Sequence, residues 1–117
     1  MNIETIREYC ITKKEVSESF PFDESTLVFK VFDKMFALLS LEGDSNLNLK
    51  CDPEWAVELR EKYSFITPGY HMNKQHWNSI DLAETGSEKL IFEMIDHSYQ
   101  LVVNKLPSSK REQIIGK

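Results

Sequence analysis

The chain has no apolar run near the roughly 20 residues that span a bilayer, and it has no internal repeat, low-complexity tract or Gly/Ser linker. These absences exclude a membrane-spanning helix, a solenoid and a tethered pair of domains. The 117 residues are therefore expected to form one domain, 1–117, with a single hydrophobic core. Cysteine is scarce. Cys10 and Cys51 lie far apart, match no zinc spacing and are read as reduced thiols of a cytoplasmic protein. The opening MNIETIREYC lacks a basic stretch followed by an apolar one, so no secretory signal is expected. Positive charge is in deficit, with 14 Lys and Arg against 19 Asp and Glu and a net charge of −5. That balance argues against a surface devoted wholly to gripping nucleic acid, although the placement of charge matters more than its sum.

What is present is ordinary for a globular domain: 41% hydrophobic and 28% charged residues. Asn2 to Tyr9 reads as a helix capped by Asn2, with Ile3, Ile6 and Cys10 on one face. The polar stretch that follows is broken by Pro21 and reads as loop, with a short strand near Val16. From Leu27 the period becomes two, and Leu27, Phe29 and Val31 share a face. A turn at Asp33-Lys34, a returning strand MFALLSL, a second turn from Glu42 to Ser45 and the alternating NLNLK complete a three-stranded antiparallel meander. Asp52 and Pro53 are a strong N-cap and first residue for a helix that buries Ala56, Leu59 and parts of Trp55 and Tyr63. SFIT and HWNSIDL read as strands, and about Ser87 to Lys105 as the longest helix, ended by Pro107. SSKREQII adds a last helical turn. This order implies an α+β sandwich with one antiparallel sheet and its helices on one face.

One stretch stands apart from this pattern. PGYHMNKQHWNSIDL, from Pro68 to Leu82, holds two of the three histidines and one of the two tryptophans, and no acid occurs between Ile66 and Ile80. Within it, Pro68, Tyr70, His71, Asn73, Lys74, His76 and Trp77 resemble the Pro-x-Tyr-His-x-Asn-Lys-x-His-Trp run of the MmcQ/YjbR family. Downstream, His97, Ser98, Tyr99, Leu101 and Val102 are similar to that family's helix motif. Upstream, Phe29, Lys30, Val31, Lys34 and Phe36 are similar to its hairpin, with Asp33 where a glycine is common. The resemblance covers essentially the whole chain. It implies a fold like that of bacterial frataxin (CyaY) and a DNA-binding role in which hairpins act as paired wings. Fold alone does not carry that role, so the residues are weighed for themselves.

His71 and His76 are five apart, His97 is distant, and no carboxylate lies nearby in sequence to complete a metal set. Histidines hydrogen-bonded in a turn fit that spacing better than zinc ligands do. Cys51 precedes a helix N-terminus, where a thiolate gains stability, but a buried core thiol is the favoured reading. No catalytic constellation, cofactor or metal site is expected, so the chain is read as non-enzymatic.

The nucleic-acid reading assigns phosphate contact to Lys34 and Lys74, and phosphate or base contact to Asn73 and Gln75. His71 and His76 donate hydrogen bonds, Tyr70 and Trp77 stack on exposed bases, and Asn78 adds a donor. Lys30, Lys50, Lys105, Lys110, Arg111 and Lys117 would join them if they converge. The plain alternative for each lysine is a solvated charge at a sheet edge or helix end. For the central run it is a turn from Pro68-Gly69, with Asn73 left-handed in a second turn. A different class of function, a small-ligand or protein-interaction module, places Tyr70, His71, His76 and Trp77 around a pocket.

Overall fold

A computed structural model describes residues 2–43, 45–69 and 72–115 of the chain. The elements in order are α1 (Ile3–Ile11), β1 (Val16–Ser19), β2 (Thr26–Val31), β3 (Lys34–Ser40), β4 (Asn46–Lys50), α2 (Pro53–Lys62), β5 (Ile66–Pro68), β6 (Trp77–Asp81), α3 (Glu88–Val103) and α4 (Ser108–Ile115). The six strands form one antiparallel sheet in the order β1-β2-β3-β4-β6-β5. The expected meander is its centre. The edges are short: four residues in β1, and three in β5 ending in Pro68, which has no N–H to offer a neighbour.

Alternation fixes which face is which. Leu27, Phe29 and Val31 of β2, Leu47 and Leu49 of β4 and Ile80 of β6 point to one side. There they meet Ile6 and Cys10 of α1, Ala56 and Leu59 of α2, Ile91, Ile95, Val102 and others of α3, and Ile114 of α4. All four helices therefore share a single core on one face of the sheet. Burying an aliphatic side chain of this kind contributes about 1.5–3 kcal/mol. The opposite face carries a smaller apolar patch of Val28, Leu38 and Trp77, flanked by Met35 and Met72.

The cap signals were sound. The Asn2 side chain accepts from the Glu4 N–H and that of Asp52 from Glu54 and Trp55; Ser87, expected as the first residue of α3, instead caps it by accepting from Leu90. Several boundaries differ from expectation for identifiable reasons. The β2–β3 turn is Phe32-Asp33, one residue before the expected Asp33-Lys34, because Val31 pairs with Lys34. Phe32 takes the left-handed conformation there (φ 55°), held by packing on the core and by Lys110, whose Nζ lies 5.2 Å from its ring centroid. α4, by contrast, covers the expected SSKREQII segment, over about two turns. The turn expected at Pro68-Gly69 falls later. Gly69 still donates to the Trp77 carbonyl (2.9 Å) beside β6, and the chain reverses beyond it. A Cβ on Gly69 would lie 3.0 Å from that of Trp77, so this close approach favours glycine.

Candidate functional site

β4 and β6 end and begin side by side, with Lys50 paired to Trp77. One more bond, from the Cys51 N–H to the His76 carbonyl (2.7 Å), carries the ladder past the sheet. A cleft of about 410 Å³ opens here. Its floor is Lys50, Cys51, Asp52 and Pro53, where β4 passes into α2. Asn73, His76 and Trp77 form one wall, and Leu101 and Lys105 from the end of α3 form the other.

The loop wall is a compact turn. The Asn73 carbonyl accepts from the N–H groups of His76 (3.1 Å) and Trp77 (2.9 Å), and its side-chain oxygen accepts from Gln75 (2.9 Å). Asn73 is not left-handed, contrary to expectation. It shapes the turn through its side chain instead. Asn73, Lys74, Gln75 and His76 are exposed, whereas Trp77 is 5% exposed and packs on Val28 and Leu38. Trp77 is therefore a wall and a sheet anchor, not an open stacking platform. Asn78 is a further correction. It pairs with Leu49, faces the core, is fully buried, and neither side-chain polar atom has a partner among the described residues. It presents no donor to a surface ligand. Tyr70 and His71, assigned to this site from sequence, lie outside the described residues.

The helix wall is fixed by the residues that resemble the family's helix motif. Pairing of β3 with β4 stops at Ala37–Leu49, next to the bulge that leaves Phe36 as an extra residue opposite β2. The Ser98 hydroxyl fills the gap. It donates to the Phe36 carbonyl (2.6 Å) and accepts from the Lys50 N–H (3.0 Å). His97 Nε2 accepts from the Asp52 N–H (3.0 Å), and its ring meets Trp55 edge-on with centroids 4.6 Å apart. The imidazole must be neutral at that nitrogen. Burial holds its pKa below the ordinary histidine value, against the opposing pull of Asp52 and then Glu93. Tyr99 donates to the Lys14 carbonyl (2.6 Å). This helix motif is thus a set of structural ties that bring Leu101 and Lys105 to the cleft.

The electrostatics of the cleft come mainly from lysines. Burial first, then Lys105 and Lys34, hold the Lys50 pKa below the ordinary lysine range. Its Nζ lies 5.8 Å from the Trp77 ring centroid. Among the described residues no carboxylate forms an ion pair with Lys34, Lys50 or Lys105. Asp52 faces the cleft, but its carboxylate accepts from the N–H groups of Glu54 and Trp55. Cys51 is 2% exposed and its thiol is pushed up to about 12, chiefly by burial, so it is core and no ready nucleophile. Among the described residues no group of three His, Cys, Asp or Glu side chains converges to hold a metal, and no described helix is long and apolar enough to cross a membrane.

Of the residues assigned from sequence, Asn73, His76 and Trp77 line the cleft, and Lys34 lies within electrostatic reach of it. Lys74 and Gln75 are exposed on the same turn and are not among the lining residues. Lys50 and Lys105 belong to the site, although the sequence offered them only as charges that would join it if the chain brought them together. No local signal does so, because they meet through Ser98 and the ends of two different elements.

The geometry matches a known family. A model described as YjbR matches residues 11–101. The chain belongs to the YjbR family. It is 34% identical over 116 residues to YjbR of Escherichia coli K12, covering 98% of both chains. It is 40% identical over 111 residues to YbdF of Escherichia coli O157:H7, covering 94% of this chain and 89% of that one. The crystal structure of Deinococcus radiodurans DR2400, a DUF419 domain, superposes with a TM-score of 0.89 at 38% identity, over 97% of this chain and 87% of that one. A Pseudomonas syringae crystal structure gives a TM-score of 0.74 at 32% identity, over 86% of this chain and 98% of that one. The family and the α+β fold expected from the sequence are therefore established.

Proposed function

We propose that this YjbR-family chain binds DNA, without catalysing a reaction on it, at the end of the sheet where Lys50 and Lys105 flank the cleft. One observation carries the reading. In a chain of net charge −5, Lys34 and Lys105 both lie within electrostatic reach of Lys50, and none of the three has a carboxylate ion-paired to it among the described residues. Such a cluster is stabilised by an external anion, and phosphate is the anion that DNA presents. Lys34 and Lys74 extend the contact along the backbone from the hairpin and the 72–76 turn. Asn73 and Gln75 reach phosphate or base edges, and His76 donates from the rim. A salt titration of binding tests this. Log affinity should fall as log salt rises, and Lys50→Ala should reduce the slope by about 0.9, one phosphate contact. A slope near zero, or one unchanged by Lys50→Ala and Lys105→Ala, refutes the reading.

A second reading, a module for a small anionic ligand, is favoured by one feature. The cleft has the volume of a compact-ligand site and apolar walls at Pro53, Trp77 and Leu101.

A further inference from the structure

The shape of the cleft restricts what form of DNA enters it. A duplex keeps its bases paired and stacked inside and meets a protein with a convex backbone, so it bridges the mouth of a 410 Å³ hollow without filling it. An unpaired nucleotide offers a phosphate, a polar edge and an apolar face together. The cleft is divided the same way: Lys50 and Lys105 stand on facing elements, Asn73 and His76 form an exposed polar wall, and Leu101 and Pro53 are apolar. Asn73 already uses its side-chain oxygen on Gln75, which leaves its Nδ2 as a donor.

We propose that the cleft takes one unpaired nucleotide, its phosphate between Lys50 and Lys105, its base edge toward Asn73 and His76, and its apolar body against Leu101 and Pro53. This deepens the DNA reading and rests on it. A free mononucleotide and a nucleotide within single-stranded DNA share this chemistry.

The test compares a 12-nucleotide single strand with the blunt duplex of the same sequence at fixed salt, with adenosine monophosphate as competitor. Wild type is set against Leu101→Trp, which fills the hollow from a partly exposed position. The single strand should bind at least tenfold more tightly than the duplex, the mononucleotide should displace it, and Leu101→Trp should bring single strand and duplex to equal affinity. Equal affinity already in wild type, unaffected by Leu101→Trp and by the mononucleotide, overturns this inference and leaves the DNA reading standing. Mononucleotide binding that shifts the Leu101 and Lys105 amide resonances, with neither DNA form bound, keeps the cleft assignment and refutes the DNA reading. No binding of any of the three overturns both. If Leu101→Trp does not fold, the wild-type ratio and the competition decide.

Discussion

The two ends of the sheet are built in opposite ways. At the far end the side-chain hydrogen bonds are local. Asp23 accepts from Ser25 and Thr26, Ser40 donates to Glu42, Asp81 accepts from Ala83, and Gly43 takes a left-handed turn. Acids crowd there: Asp23, Glu24, Glu42, Asp81, Glu84 and Glu88, with Lys62 and Lys89 on the adjoining helix ends. At the cleft end the ties are long-range. Ser98 reaches Phe36 across 62 residues and Lys50 across 48, and His97 reaches Asp52 across 45. Lysines gather there, with Glu15, Asp33, Asp52 and Glu54 among the nearby acids. One end is a set of turns joined by backbone bonds, Leu41 N–H to the Ser25 carbonyl and Leu82 N–H to the Ser45 carbonyl, and it is rich in carboxylates. The other is a braced hollow where Lys34, Lys50 and Lys105 have no ion-paired carboxylate among the described residues. Long-range bracing fixes side chains in place before a ligand arrives, which lowers the ordering cost of binding.

The sharpest break of this comparison is charge reversal. Lys50→Glu with Lys105→Glu should weaken DNA binding by roughly 100-fold at low salt, since two contacts become repulsions. Glu42→Lys with Glu84→Lys, at the far end, should change it by less than about threefold, the residue of screened long-range charge. Equal effects from both pairs, measured by fluorescence anisotropy, would erase the distinction.

Next in size is Ser98→Ala. It leaves the Phe36 carbonyl and Lys50 N–H without their partner, and should cost about 2–3 kcal/mol in urea unfolding. Ser40→Ala, in a local far-end turn, should cost about 0.5–1 kcal/mol. A Ser98→Ala loss no larger than that of Ser40→Ala would show that the cleft end is not braced as described.

Asn78 should respond with the opposite sign. Its amide is fully buried and unpartnered among the described residues, so Asn78→Leu should stabilise by about 1 kcal/mol. A loss of similar size would mean that the amide has a partner, such as a buried water.

The smallest effect is in pH. His97 has a lowered folded-state pKa because its neutral form is buried and accepts from Asp52. Its contribution is therefore complete above the unfolded value of about 6.5, and is lost as pH falls through the lower folded value. Unfolding free energy should decline over that interval in wild type and decline less in His97→Gln. Identical profiles would remove His97 from the account.

The same contrast explains what was legible in the sequence. Capping and alternation are local, so the N-caps Asn2 and Asp52, the meander and the long α3 were readable from the residues themselves, whereas Ser87, read as the start of α3, proves to be its cap. Misplaced turns had a tertiary cause. Phe32 enters a left-handed turn because the core and Lys110 hold it, and Gly69 stays beside β6 through its bond to the Trp77 carbonyl. The site was half legible. Asn73, His76 and Trp77 were found because they sit together in sequence, and their family resemblance was correct. Lys50 and Lys105 were not assigned to it, because only Ser98 and the β3 bulge bring them together. Asn78 was misjudged because alternation alone does not say which of Trp77 and Asn78 meets the helices.

The most direct measurement is an amide chemical-shift map of the ¹⁵N-labelled protein titrated with a short single-stranded oligonucleotide. The account predicts that the shifts concentrate at residues 50–53, 72–77 and 101–105, together with the neighbourhood of Lys34. Shifts concentrated at residues 41–43 and 81–88, or spread evenly over both ends of the sheet, would contradict it.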